Sequence, residues 1–406
     1  MIWNAIGNIT YLAAQWILTV LVARIAGFAD AGILSIAMSV TATFQTIALF
    51  GVRNFQASDV NEEYSDSMFF NLRNITCIAS LAACVLFSVL GGYNSTQFIA
   101  ILLFMLFRIA ESYTDVLAGM AQKRGRLDIA GKSFAIKGVL VIIFFFSGYY
   151  AFDSLNAGLG FMTVSSCLST LLYDYPAVRK LSKFSVIDKL KPSISLAKKT
   201  LPLCVYMFLF VSLTSIPKIV LELLTDEATL GAYSSIFAPA TLIQAATGYI
   251  YTPFATVFAL NLRNNDYKRL EAVILKILLI MLAITGFALV AAHFLGEFLF
   301  VIVFGENILE HLYLFNPIII STMLLSILGF LCMIEIVMRD FIGLIVGCGI
   351  GAIAATILSF VLINSFSSQG ASYAIIISTT LAICIIAASM TRKIIIAIHN
   401  YEISYK

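Results

Sequence analysis

Residues 174–200 have the sequence DYPAVRKLSKFSVIDKLKPSISLAKKT. The segment carries seven lysines and arginines together with Pro176 and Pro192, whereas the chain on either side of it is strongly apolar. Dense charge and proline both oppose a continuous membrane helix, so the segment is predicted to be a polar connection. It is the longest such connection in the chain, and it is therefore the natural boundary between two halves.

Twelve apolar segments, six on each side of this connection, are long enough to cross a bilayer. A membrane helix needs about 20 residues, because the hydrocarbon core is about 30 Å thick. The predicted spans are residues 5–25, 31–51, 74–92, 96–118, 133–151, 154–174, 200–222, 232–259, 272–293, 313–336, 341–363 and 369–390. Paired six-helix bundles are the architecture of many transporters, which hold the substrate between the halves. The sequence therefore predicts an all-α polytopic membrane protein with two six-helix lobes around a central cavity.

The composition agrees with this fold class. Hydrophobic residues make up 61% of the chain, charged residues only 12%, and the mean hydropathy is +0.98. Soluble domains are only about 45–50% apolar, so the bilayer is the main solvent. We predict three parts: an N-terminal six-helix lobe (1–175), a basic cytoplasmic connector (176–199), and a C-terminal six-helix lobe with a short cytoplasmic tail (200–406). A net charge of +3 gives no reason to expect nucleic acid as a partner.

Basic residues are distributed asymmetrically along the chain. All but three of the 25 lysines and arginines fall on one side of the alternating spans. The connections on that side include Arg53, Arg73 and Lys137. Because positive loops stay in the cytoplasm, both termini are predicted to be cytoplasmic. The three exceptions are Arg24, Arg108 and Lys218.

Arg108 is the deepest of these exceptions. It lies about 18 Å along the predicted fourth span, past the middle of the hydrocarbon. Glu111 and Asp115 follow at positions i+3 and i+7 and share its helix face. One interpretation is a self-neutralised pair facing the bundle interior. The other is functional, with anion contact by Arg108 and proton or sodium coupling through Glu111 or Asp115.

Arg24 and Lys218 lie near the outer ends of the first and seventh spans, at corresponding places in the two halves. Each could extend to the headgroups, or the two could line a shared cationic pathway. Pro217, next to Lys218, predicts a bend and a candidate hinge.

Enzyme motifs are missing from the sequence. There is no phosphate-binding GxxxxGK[ST] loop, and His293, His311 and His399 lack metal-ligand spacing. We expect no catalytic residue, no metal and no cofactor. Transport would therefore have to be driven by a proton gradient, a sodium gradient or the substrate's own gradient.

Three stretches carry a family resemblance: GVRNFQASD (51–59), RIAESYTDVLAGMAQKRGRLD (108–128) and IPKIVLELLTDEATLGAYSS (216–235). Together with the first span and the turn at Gly32, they resemble the Wzx-type polysaccharide exporters. These are lipid-linked oligosaccharide flippases of the multidrug/oligosaccharidyl-lipid/polysaccharide (MOP) exporter superfamily.

The resemblance implies a flippase of the bacterial inner membrane that moves an undecaprenyl-pyrophosphate-linked oligosaccharide, such as an O-antigen repeat unit of lipopolysaccharide, by alternating access. Its implied partners are that lipid-linked oligosaccharide, the lipid bilayer, a polysaccharide polymerase and a chain-length regulator. Arg24, Arg53 and Lys218 match positions where the family carries cations, and Arg108 with Glu111 opens its fourth-helix motif. The family's helices one and seven bend during gating, which agrees with a hinge at Pro217.

Two alternatives remain at this stage. A multidrug or cation antiporter of the same superfamily should have a net acidic pocket. A membrane-embedded glycan polymerase or glycosyltransferase should present a sizeable outer loop, and none of the predicted outer connections is long enough.

Overall fold

The computed structural model describes residues 2–58, 63–186 and 190–404. Every regular element in these ranges is helical. The long helices are α1 (Ile2–Ile25), α2 (Gly27–Leu49), α3 (Asp66–Leu90), α4 (Ser95–Lys123), α5 (Leu127–Phe152), α6 (Leu155–Arg179), α7 (Leu190–Leu224), α8 (Glu227–Tyr251), α9 (Tyr267–Phe304), α10 (Phe315–Val337), α11 (Phe341–Phe366) and α12 (Ser368–Ser404). Two short helices, Val52–Ser58 and Ala255–Arg263, follow α2 and α8.

The helices match the predicted spans. Within the described ranges, 10 helices are long and apolar enough to cross a membrane. The two other predicted spans lie on α4 and α8, which have 29 and 25 residues. The prediction of an all-α, multi-span membrane protein is confirmed.

The chain forms two compact units, Met1–Val211 and Ser212–Lys406. Helix α7 begins in the first unit and ends in the second. We call them unit 1 and unit 2. The predicted boundaries at 175/176 and 199/200 stay predictions, as does the cavity between the lobes.

Side-chain caps set where several helices begin. The Ser65 hydroxyl accepts a hydrogen bond from the Met68 N–H and starts α3. Asn94 and Gln97 bond reciprocally at the start of α4, and Asp226 accepts from the Thr229 N–H at the start of α8. Each cap satisfies N–H groups that the first helical turn leaves without partners.

Glycines bring α1 and α5 into close contact in unit 1. A Cβ atom on Gly131 would collide with the carbonyl of Trp3, and one on Gly7 would collide with the carbonyl of Gly131. Small residues allow this approach, which compensates for the weak hydrophobic driving force between helices in lipid. Helix α2 is more deeply buried than α1, α3, α5 or α6, so its side chains are well placed to form internal contacts.

In unit 2, α11 packs closely on α12 through Gly347 and Gly351, which face Ile386 and Ala382. The turn before α11 is held by Asp340, which lies outside the spans. Burial acts to raise the pKa of this carboxyl, but hydrogen bonds from the Lys393 ammonium, the Gly343 N–H and the Ser389 hydroxyl outweigh it, and the pKa lies below its ordinary value.

Candidate functional site

The first group of charged side chains lies on α4, inside unit 1. Arg108 Nη1 donates a hydrogen bond to Glu111 Oε2 at 2.7 Å. Gln45 Nε2 on α2 donates to the same oxygen at 3.2 Å. The Arg108 guanidinium also lies over the ring of Phe104, with its central carbon 5.0 Å from the centroid. The pair is therefore neutral as a whole, and α2 contacts its carboxylate.

The second group lies one turn further along α4, where two arginines bind Asp115. Arg73 Nη2 on α3 is 2.9 Å from Asp115 Oδ2, and Arg53 Nη1 is 3.4 Å from Oδ1. Arg73 is completely buried and also donates to the Ala48 carbonyl near the end of α2. The Arg53 side chain is 30% exposed. Two guanidiniums around one carboxylate leave this group with a net positive charge.

Local backbone geometry positions Arg53. Phe50 and Gly51 have φ values of 50° and 63°, which end α2 and turn the chain into the short helix Val52–Ser58. Positive φ is easily adopted by glycine but rare for phenylalanine. The side chain of the buried Gln56, on the same short helix, lies directly over Gly119 of α4. This contact holds the short helix against α4 and keeps Arg53 beside Asp115.

The prediction that Arg73 lies in a cytoplasmic connection is wrong. Helix α3 begins at Asp66 rather than near residue 74, so Arg73 lies two turns inside it. The physical reason is that the guanidinium donates to Asp115 through Nη2 and to the Ala48 carbonyl through Nη1, which allows a charge where hydropathy alone indicates a loop. The N-cap Ser65 is the signal in the sequence that could have identified the true helix start.

Lys137 was also counted among the cations of the positive connections, although the predicted fifth span (133–151) contains it, and this assignment is wrong. It lies inside α5, which begins at Leu127, and its side chain is only 2% exposed. Its ammonium donates to Asp174 Oδ2 at 2.7 Å and to Thr170 Oγ1 at 2.8 Å, and it also contacts Thr114 Oγ1. Thr170 and Asp174 bound a π-helical turn in α6, a rare conformation that is frequent at functional sites.

Lys218 lies on the part of α7 that belongs to unit 2. Its ammonium is 3.9 Å from the centroid of the Phe237 ring, a close cation–π contact. The preceding residue, Pro217, is buried, and α7 is continuous through it. The hinge role of Pro217 stays a prediction.

Helix α4 thus brings Arg108, Glu111 and Asp115 together with Arg53. Arg24 is exposed in the last turn of α1. It is separated from Arg53 by the length of α2, roughly 35 Å at about 1.5 Å per residue. The roles predicted for these residues and for Lys218, namely substrate contact and ion coupling, stay predictions.

Comparisons with known proteins identify the fold. No protein-family model matches this sequence. A capsular polysaccharide biosynthesis protein of Staphylococcus aureus, CapF, is 28% identical over 313 residues, which are 74% of this chain and 76% of that protein. The structure of the lipid II flippase MurJ in an inward closed conformation superimposes with a TM-score of 0.75 at 13% identity, covering 96% of this chain and 88% of MurJ.

A multidrug resistance MATE family transporter of the MOP superfamily, in an inward-facing conformation, gives a TM-score of 0.64 at 12% identity, with coverage of 97% and 94%. The chain has the fold of MurJ and of this transporter. Together with the capsular relative, this fold confirms the resemblance to the polysaccharide exporters of that superfamily. The structural neighbours named here are a flippase and a transporter, and neither is an enzyme.

Proposed function

We propose that this protein is a flippase for a lipid-linked polysaccharide precursor. Its cargo would be an undecaprenyl-pyrophosphate-linked oligosaccharide repeat unit, moved from the cytoplasmic to the outer face of the inner membrane by alternating access. The observation that carries the proposal is the conjunction of this fold with a relative in capsular polysaccharide biosynthesis. A polysaccharide polymerase and a chain-length regulator would act on the cargo after it has crossed.

The charges inside unit 1 support an anionic cargo. The two groups on α4 together contain three guanidiniums and two carboxylates, so their sum is positive. Arg73, which the sequence pattern assigns to a connection, adds to this excess. A positive balance favours the pyrophosphate-bearing lipid over the cationic drug of the rival antiporter, whose pocket should be net acidic.

Arg53 is the residue in unit 1 best suited to meet the pyrophosphate. It is partly exposed, and its 3.4 Å contact with Asp115 is longer than a normal charge-assisted hydrogen bond. Among the residues that the structure describes, Asp115 is the one group bonded to its guanidinium, so most of its donors remain available to phosphate oxygens, which a guanidinium can bind in bidentate fashion. Lys218, in unit 2, is the other cation to which we assign contact with the cargo.

Glu111 is our candidate for ion coupling. It is mostly buried, and both Arg108 and Gln45 bond one of its oxygens, Oε2. Protonation or sodium binding at this carboxylate would weaken the Arg108 contact, and the freed guanidinium could then reach the cargo. The same site would thus couple an ion gradient to substrate binding.

We expect Glu111→Gln to abolish the dependence of translocation on a proton or sodium gradient, because the amide cannot change its charge. Translocation would be measured in proteoliposomes with and without each gradient. Asp128→Asn, which changes a partly exposed carboxylate paired with Arg126, is the matched control and should leave the dependence intact. Unchanged gradient dependence in Glu111→Gln would return this residue to a structural role.

Deletion of the gene tests the proposed function in cells. We expect loss of surface polysaccharide, accumulation of the lipid-linked repeat unit on the cytoplasmic leaflet, and no change in drug susceptibility. Increased drug sensitivity with normal surface polysaccharide would favour the antiporter. Failure to elongate repeat units that have already reached the outer face would favour a polymerase.

A further inference from the structure

An apolar groove of about 530 Å³ opens on the surface of unit 1 between α3, α4 and α6. Its lining includes Leu106, Thr163, Cys167, Leu171, Tyr175 and Val186. Leu171 and the neighbouring Leu172 are 63% and 75% exposed, as expected for a face in contact with lipid. The groove is separate from the charged groups on α4 described above.

The polar atoms in the wall of the groove are already bonded within the protein. The Tyr113 hydroxyl donates to Asn74 Oδ1 at 2.9 Å, and Asn74 Nδ2 donates to the Val186 carbonyl at 2.7 Å. They offer little to a polar ligand, so the groove favours a hydrocarbon chain. From Thr163 to Tyr175 it follows α6 for roughly 18 Å, somewhat more than half of the roughly 30 Å hydrocarbon core.

Positive charge is concentrated at one end of the groove. Arg179, one turn beyond Tyr175, donates to the Tyr175 hydroxyl and to the Phe184 carbonyl, each at 2.9 Å. The side chains of Lys180 and Lys183 are exposed beside it. Phe184 packs against Phe70 and Tyr175 and fixes this basic rim next to the mouth of the groove.

We propose that the groove binds one acyl chain of an anionic phospholipid, with the phosphate against Arg179, Lys180 and Lys183. The groove is about as long as one leaflet and its wall is apolar, which suits an acyl chain. The basic rim at one end suits the phosphate of the headgroup. A polyprenyl chain much longer than one leaflet would extend beyond the groove. The site is independent of the proposed flippase activity.

Native mass spectrometry of the detergent-purified protein, titrated with phosphatidylglycerol and with phosphatidylcholine of identical acyl chains, tests this site. We expect one phosphatidylglycerol to bind at least about fivefold more tightly, the ratio that one basic residue near an anionic headgroup provides. Cys167→Phe should fill the groove and remove the tight site. Val164→Phe is the matched control, because Val164 is 55% exposed on the same helix and does not line the groove.

A second variant keeps the test decisive if Cys167→Phe does not fold. Lys180→Gln combined with Lys183→Gln alters only exposed side chains and should lower the affinity for phosphatidylglycerol towards that for phosphatidylcholine. Equal binding of the two lipids by the unmodified protein would overturn the proposal. So would unchanged binding in a folded Cys167→Phe protein, or tight binding of a polyprenyl phosphate without phosphatidylglycerol. None of these outcomes depends on translocation.

Discussion

Replacing Lys137 with alanine is expected to cost about 3–5 kcal/mol of folding free energy, the usual penalty for breaking a buried ion pair. The substitution leaves the Asp174 carboxylate buried, and among the described residues only the Thr114 hydroxyl then remains as its hydrogen-bond partner. Protein yield and the thermal unfolding of the detergent-solubilised protein, followed by the loss of its monodisperse fraction, would measure the effect.

Two further variants distinguish the effect of breaking the ion pair from the effect of losing any lysine. Lys183→Ala removes an exposed lysine and should change stability little. Lys137→Met combined with Asp174→Leu replaces both charges with apolar groups and should recover most of the lost stability, as such exchanges often do. A Lys137→Ala protein as stable as Lys183→Ala would contradict our account of this pair.

Replacing Arg73 with alanine is expected to have a comparable effect, about 3–5 kcal/mol, and to reduce translocation as well. Arg73 bonds both Asp115 and the Ala48 carbonyl, so its loss removes the buried guanidinium from the carboxylate and leaves the Thr76 hydroxyl to donate to the Ala48 carbonyl. Arg53 would then have to neutralise Asp115 alone and would have fewer donors for the cargo. Thermal unfolding and translocation by the folded fraction would be measured separately.

Arg73→Lys is the informative companion variant. A lysine keeps the charge but lacks the planar fork that donates to Asp115 and to the Ala48 carbonyl at once, so we expect intermediate stability. Arg126→Ala is the control, because Arg126 forms an exposed pair with Asp128 that should matter little. Equal stability of Arg73→Ala and Arg126→Ala would show that the contacts of Arg73 with Asp115 and the Ala48 carbonyl do not hold the helices together.

The membrane helices could be predicted from the sequence because long apolar runs have few alternatives to a transbilayer helix. The starts of α3 and α5 were placed too late, because the spans were bounded by hydropathy alone. Hydropathy assigns Arg73 to a loop and gives no partner for Lys137, since it contains no information about the carboxylates of Asp115 and Asp174 that neutralise them. Only the packing of different helices brings these partners together.

The candidate site shows the same division between local and distant contacts. The pairing of Arg108 with Glu111 follows from i,i+3 spacing on one helix and was accessible from the sequence. Asp115 lies on the same face but bonds Arg53 and Arg73, which come from two other elements. The closeness of Lys218 to the Phe237 ring likewise depends on how α7 packs against α8.

We propose that fixed cations receive a pyrophosphate-bearing cargo. Translocation of a pyrophosphate-linked oligosaccharide lipid in proteoliposomes, compared between the unmodified protein and Arg53→Ala combined with Lys218→Ala, tests this proposal. We predict that the double variant inserts normally but translocates at least about 100-fold more slowly, because two charge-assisted contacts of about 1.5–3 kcal/mol each are lost. Translocation at the unmodified rate by a correctly inserted double variant would contradict the claim.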